Sequence, residues 1–166
     1  MNKAVMLSIR PKWVEKIANG EKTIEVRKTR PKLDTPFKCY IYCTLPKYPH
    51  EDFIATDYPR PQFYGGGKVI GEFTCDRIDR LAPANDPYGI YDIDDDYVLQ
   101  TCLENGALWD YGHGTPLYGW HISDLRIYDE ARDLGEFIGL RTMKNGFELR
   151  ELDRPPQNWC YVEAMK

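Results

Sequence analysis

Gly20-Glu21-Lys22-Thr23-Ile24-Glu25-Val26-Arg27 is the stretch on which the fold turns. Gly20 is placed to stop a helix, because glycine takes the left-handed backbone of a helix end without a steric penalty. After it the residues alternate, with Ile24 and Val26 on one side and Thr23, Glu25 and Arg27 on the other. Period-two alternation is the mark of a half-buried β-strand. Lys22 stands at the mouth of that strand, so a lysine, a carboxylate and a guanidinium arise from one short ribbon. If its polar face lines a confined space, partial desolvation brings these groups into a chemically useful range. Arg27 then supplies a planar fork suited to a phosphate or a base edge. On an open surface the same residues form a solvated ladder worth little.

Working outward, Leu7-Ser8-Ile9-Arg10 reads as a short strand and Pro11 opens a helix that runs to Asn19, with Trp13, Val14, Ile17 and Ala18 on one side. Basic residues (Lys28, Arg30, Lys32) fill the loop after Arg27, which Pro31 and Pro36 keep irregular. Residues 37–44 form the clearest strand, centred on Tyr40, Ile41 and Tyr42. Residues 45–67 read as an irregular excursion ending in Gly65-Gly66-Gly67. That glycine run leads into a strand (68–78) rather than a helix, so it is not a phosphate loop; Gly71 suggests a bulge or close packing within the strand, as in a coiled sheet. Asp94-Asp95-Asp96 caps a helix over 97–104 that Asn105-Gly106 should close. Strands follow at 118–122, with 125–128 extending or succeeding it, and at 159–163; one helical turn is expected within 133–137. Strands not regularly separated by helices predict an α+β fold, a small, mostly antiparallel β-barrel with flanking short helices, in one domain over residues 1–166.

Composition limits the function. Of 166 residues, 42% are hydrophobic and 29% charged, a globular balance rather than a disordered one. No apolar run approaches the roughly 18 residues that cross a bilayer, and Arg10 comes too early for a secretory signal. The expectation is a cytoplasmic protein without a membrane partner. The net charge of −4 hides a split, since residues 1–50 carry 11 Lys/Arg against 4 Asp/Glu. Such a basic third points to a local anion-binding surface, unless it cancels across the folded surface. Five cysteines (Cys39, Cys43, Cys75, Cys102, Cys160) form no CxxC and read as buried small hydrophobes. They lack the paired spacings of structural zinc, and neither a metal nor a cofactor is expected.

The run Leu7-Ser8-Ile9-Arg10-Pro11-Lys12-Trp13-Val14-Glu15-Lys16-Ile17, followed by residues 20–27, resembles the ASCH (activating-signal-cointegrator homology) domain. This branch of the PUA-like β-barrels is marked by Gly-x-Lys-x-x-Glu-x-Arg, matched here by Gly20, Lys22, Glu25 and Arg27. The likeness is specific over the first third. Tyr118-Gly119-Trp120-His121-Ile122-Ser123-Asp124-Leu125 and Pro155-Pro156-Gln157-Asn158-Trp159-Cys160 resemble small bacterial or phage-associated members. The resemblance implies an RNA or nucleotide ligand beside the motif. It also brings in the family's amidohydrolases on N4-acetylcytidine, whose motif Gly-x-Lys-Thr-x-Thr-x-Arg supplies a nucleophilic threonine activated by the lysine. Glu25 occupies that threonine's position, and Thr23, two residues earlier, is the nearest substitute.

Two readings result. In the first, an RNA- or nucleotide-binding protein uses a cleft lined by Lys22, Glu25 and Arg27, with Arg10, Trp120 and His121 as further ligand contacts. In the second, a small hydrolase acts on RNA or a modified nucleoside, with Lys22, Glu25 and Thr23 as catalytic groups and Glu25 activating water. Glu72 and Glu104 are the candidates for a second carboxylate. Trp13, Trp120 and Trp159, and Tyr40 with Tyr42, are each either base-stacking surface or core. His121 is a structural histidine or a proton shuttle, and His113, between glycines, is expected to be exposed.

Overall fold

The computed structural model describes residues 2–45, 66–85 and 90–166. Strand β1 (Lys3–Ile9) leads into helix α1 (Pro11–Ala18), β2 (Ile24–Arg27) and β3 (Phe37–Cys43). Then come β4 (Lys68–Leu81), α2 (Asp95–Thr101), α3 (Asn105–Gly112) and β5 (Leu117–Arg132). A 3-10 turn (Leu134–Glu136), β6 (Ile138–Met143), β7 (Gly146–Glu151) and β8 (Trp159–Glu163) complete the described chain. Apart from Leu45, Gly66 and Gly67, the excursion read at 45–67 lies outside the described residues.

One sheet takes the order β2-β5-β4-β3-β1-β8-β6-β7. Among the described strands only the β1–β3 pair is parallel, so the α+β, mostly antiparallel class is the one expected. Among the described residues the sheet is not closed by backbone pairing, with β2 and β7 at its two edges. It is nonetheless coiled. The register of β4 against β5 slips at Val69/Gly71, Glu72/Thr74 and Cys75/Ile78, and each such bulge adds right-handed twist. Gly71 is needed at the first, where a Cβ would stand 2.5 Å from the Arg126 carbonyl oxygen.

Coiling makes two buried layers. Val5, Leu7 and Ile9 of β1, Cys39 and Ile41 of β3, Phe73 and Trp120 pack with Val14 and Ile17 of α1 inside the curl. Met6, Tyr40, Tyr42 and Val69 point to the other face, against Leu134, Phe137 and Val162. A third cluster joins Val26, Leu81 and Leu117 to Tyr91 and Leu108 under α3.

Several elements depart from the sequence expectation. Asp94 caps α2 as read, its side chain accepting from Tyr97 N at 2.8 Å. The helix stops early, with Cys102 left-handed at φ 55°. Asn105-Gly106 then opens α3 instead of closing α2, because the Asn105 side chain is taken by the Tyr91 amide at 2.9 Å and Leu108 anchors the next turn in the core. The stretches at 118–122 and 125–128 are one continuous β5. The β6–β7 hairpin, turning between Met143 and Gly146, was not foreseen.

Candidate functional site

Local chemistry seats the motif. Asn19 ends α1, and Gly20 turns the chain at φ +83°. The Lys22 amide donates to the Lys16 carbonyl at 2.9 Å, which carries the chain back over the helix end. The Lys22 side chain then runs inward and is 1% exposed, with Glu25 and Arg27 each at 8%. Lys22 Nζ donates to the Thr101 carbonyl at 2.6 Å and lies 3.4 Å from Glu25 Oε2. The other Glu25 oxygen, Oε1, takes Arg27 Nη2 at 3.0 Å. Arg27 Nη1 donates to Asn158 Oδ1 at 2.7 Å, and Nη2 donates to the Ser8 carbonyl at 2.9 Å. The six-residue ribbon thereby reaches α2, β1 and the segment before β8.

Among the described residues two cations share one anion here, leaving a buried excess of one positive charge. Desolvating three charges is costly and is offset only when their remaining donors and acceptors are bonded. Most are. Among the described residues, two buried donors, Arg27 Nε and Trp120 Nε1, have no partner. Trp120 is the register partner of Glu25 on β5, so both residues point to the same face. An unpaired buried donor costs about 1–3 kcal/mol and calls for an acceptor such as a bound water or a ligand oxygen.

The remaining sequence candidates fall at different distances from this cluster. Thr23 is exposed, and its backbone is spent on pairing: N to the Gln100 carbonyl and O from Ile122 N, both 2.9 Å. It does not join Lys22 and Glu25, because the chain straightens into β2 only at Ile24. Arg10 is exposed at the start of α1. Trp120 is fully buried, edge-on to Phe37 at 5.8 Å. Tyr40 and Tyr42 are core as well, so they are no stacking platform.

His121 pairs with Ile24, which places it on the opposite face from Glu25. There its Nε2 meets Asp79 Oδ2 at 2.6 Å, and Tyr97 donates its hydroxyl to the same oxygen at 3.1 Å. Burial pushes the Asp79 carboxyl up, but the bonds from His121 and Tyr97 and the charge of Arg77 hold it below its ordinary value. Burial and the neighbouring carboxylate raise the Tyr97 phenol. Asp79 and Tyr97 were missed from sequence. The available signal was Gly119, between two aromatics, where a Cβ would sit 1.9 Å from the Tyr97 hydroxyl.

Neither candidate for a second carboxylate reaches the cluster. Glu72 lies on the Tyr40 side, bonded to Lys38 at 3.1 Å and Tyr128 at 2.7 Å, and Glu104 is exposed before α3. A separate groove of about 540 Å³, lined by Lys38, Glu72, Arg126, Tyr128 and Arg132 among others, does not include Lys22, Glu25 or Arg27.

No family model and no curated protein matches the sequence. Solved structures do match. A serine-to-alanine variant of ZmASCH from Zymomonas mobilis superposes with a TM-score of 0.58 at 18% identity, over 96% of this chain and 88% of that one. A tyrosine-to-phenylalanine variant gives 0.54 at 17% identity, over 96% and 90%. The structure of ASCH from the same organism gives 0.53 at 18% identity, over 96% and 87%. With the barrel-like sheet and the seated motif already described, these likenesses show that this chain has an ASCH-like fold.

Proposed function

We propose that the protein binds RNA or a nucleotide at the surface around Lys22, Glu25 and Arg27, inside the cell. The observation that carries this reading is the pair of buried donors, Arg27 Nε and Trp120 Nε1, unpaired among the described residues, beside a cluster that among those residues holds one positive charge in excess. An acceptor-rich anion drawn in beside the cluster would match its excess charge and bring acceptors towards these donors. Exposed Arg10, Lys12, Lys28, Arg30 and Lys32 surround the same end of the chain and supply the longer-range attraction. The fold shared with ASCH proteins supports the same choice of ligand.

Hydrolysis, with Lys22 and Glu25 as catalytic groups, is the alternative. It ranks second because both Glu25 oxygens face cations, Lys22 is bonded to a carbonyl, and Thr23 stands outside in solvent.

The test is fluorescence anisotropy with a labelled single-stranded RNA at low salt, with uridine monophosphate as competitor. Binding that weakens in a Lys28→Glu, Arg30→Glu double variant supports the reading. No binding of either ligand, with the protein folded, refutes it.

A further inference from the structure

Gly146-Phe147-Glu148-Leu149-Arg150-Glu151 forms β7, which among the described residues is a bare sheet edge. The opposite edge, β2, is protected. Its residues are all buried, α2 packs beside it, and Thr23 just before it donates its amide to the Gln100 carbonyl. By contrast, every residue of β7 is exposed except Phe147, which is partly so. Its outer amides and carbonyls meet no other described strand and form a template for pairing. The neighbouring strand β6 joins β8 where Gly139 lies opposite Val162, and Arg141, Thr142 and Met143 beyond that point are exposed. The end of the β6–β7 hairpin is therefore a two-stranded ribbon, a form that is marginal in water by itself.

We propose that β7 is the joint of a homodimer, pairing antiparallel with β7 of a second copy about a two-fold axis at Leu149. This goes beyond the ligand-binding reading and does not depend on it.

Symmetry and charge select both the occupant and the register. Opposed residues of an antiparallel pair share a face, and a one-residue slip exchanges the faces. Two copies of one strand can therefore meet about a two-fold axis only where some residue opposes itself. Centring on Glu148 sets two carboxylates against each other, and centring on Arg150 sets two guanidinium groups together. Centring on Phe147 overlaps only half of the strand, and centring on Glu151 again opposes like charges. Leu149 is different: it meets its own copy, Phe147 meets Glu151, and Glu148 meets Arg150 twice, once on each side of the axis.

The two faces of the joint are then each consistent. Leu149 and Phe147 share one face, so an exposed leucine is covered by its copy with a phenylalanine diagonal to it. On the other face Glu148 is already the register partner of Arg141 on β6. A second copy adds Arg150 on its far side, so one carboxylate stands between two cations. No ion pair among the described residues engages Glu148 or Arg150. Edge strands commonly carry charge to repel other edges; here the signs are arranged to accept a copy.

The test is sedimentation velocity over a concentration series, on the parent and on Glu148→Arg, Arg150→Glu and the double variant that exchanges the two. Thermal melts confirm that each is folded. The parent is expected to dimerise with rising concentration. Each single variant sets like charges opposite each other twice and should weaken dimerisation by about tenfold or more. The double variant restores opposite charges and should recover the parent's affinity. An equimolar mixture of the two single variants should also dimerise, because each then faces the charges it lacks. A parent that stays monomeric up to about 1 mM overturns the proposal. So do single variants that dimerise like the parent, which would put the joint on another surface, or a double variant and a mixture that fail to recover.

Discussion

Arg27 on β2 donates through Nη2 to the main-chain carbonyl of Ser8 on β1 at 2.9 Å, although three strands, β5, β4 and β3, stand between them in the sheet. The coiled sheet comes round until its edge strand faces its middle, and a side chain makes the joint that backbone pairing does not. The same guanidinium holds Asn158, and Thr29, just beyond β2, receives Trp159 Nε1. Arginine suits this task because its fork serves several acceptors in fixed directions.

Arg27→Lys should therefore fail as a conservative change. A lysine retains the charge but cannot reach Ser8, Asn158 and Glu25 together. Urea unfolding is expected to show a loss of about 3–5 kcal/mol for Arg27→Ala, as for other broken buried ion pairs, and most of it for Arg27→Lys.

Glu25→Gln should be at least as damaging to stability, because it leaves Lys22 and Arg27 buried together without an anion. The expected cost is again about 3–5 kcal/mol. Thr23→Ala, in solvent one residue before β2, should stay within about 0.5 kcal/mol of the parent. Comparable losses in the two variants would contradict the burial described here.

Alternation in residues 20–27 was enough to read the strand and to bring Lys22, Glu25 and Arg27 together as candidates. What they bind to was not legible, because Thr101, Ser8 and Asn158 lie 79, 19 and 131 residues away in sequence. Alternation also assigns a face only within a strand. Thr23 precedes β2, so sharing parity with Glu25 told nothing about its burial. His121 was correctly set opposite Trp120 in its own strand, yet its grouping with the cluster required the β2–β5 register, which pairs it with Ile24. The glycine at 106 suggested a stop because left-handed ends favour glycine; the stop fell at Cys102 instead, and the Asn105 side chain went to Tyr91.

Gly119→Ala offers a test of the second polar cluster. The added methyl would collide with the Tyr97 hydroxyl and detach it from Asp79. An overpacked site of this kind costs about 1–3 kcal/mol. Because the closest atom is the hydroxyl oxygen, the penalty should shrink in a Tyr97→Phe background, and a double-mutant cycle by denaturant titration measures that coupling.

Acid should destabilise the protein through Asp79 and Glu72. Burial raises the Glu72 carboxyl, but bonds from Tyr128 and Lys38 outweigh it and hold it low, as His121 and Tyr97 do for Asp79. Folded values lie below the ordinary 4.5 and 3.8, so the native state binds these protons less readily than the unfolded chain. Their contribution is complete above those values and is lost as pH falls through the folded ones. Melting temperatures should be level near neutrality and fall below about pH 4, with a shallower fall in Asp79→Asn and Glu72→Gln.

Thiol reactivity should be low in the folded state. Burial pushes the Cys43 and Cys75 thiols up to about 12 and Cys160 to about 11, and holds Cys39 well above its usual range. Thiolate is the reactive form. Iodoacetamide at about pH 8, below the ordinary thiol value, should leave all four unmodified by mass spectrometry until denaturant is added; rapid native labelling of Cys39 or Cys43 would contradict their burial.

The most direct measurement is the salt dependence of single-stranded RNA affinity for the parent protein and for Arg30→Glu. Counterion release predicts a linear fall of log K with log salt, at a slope of about −0.7 per phosphate contacted, and a shallower slope in the variant. An affinity that is undetectable at low salt, or that does not change with salt in either protein, would contradict nucleic-acid binding at this surface.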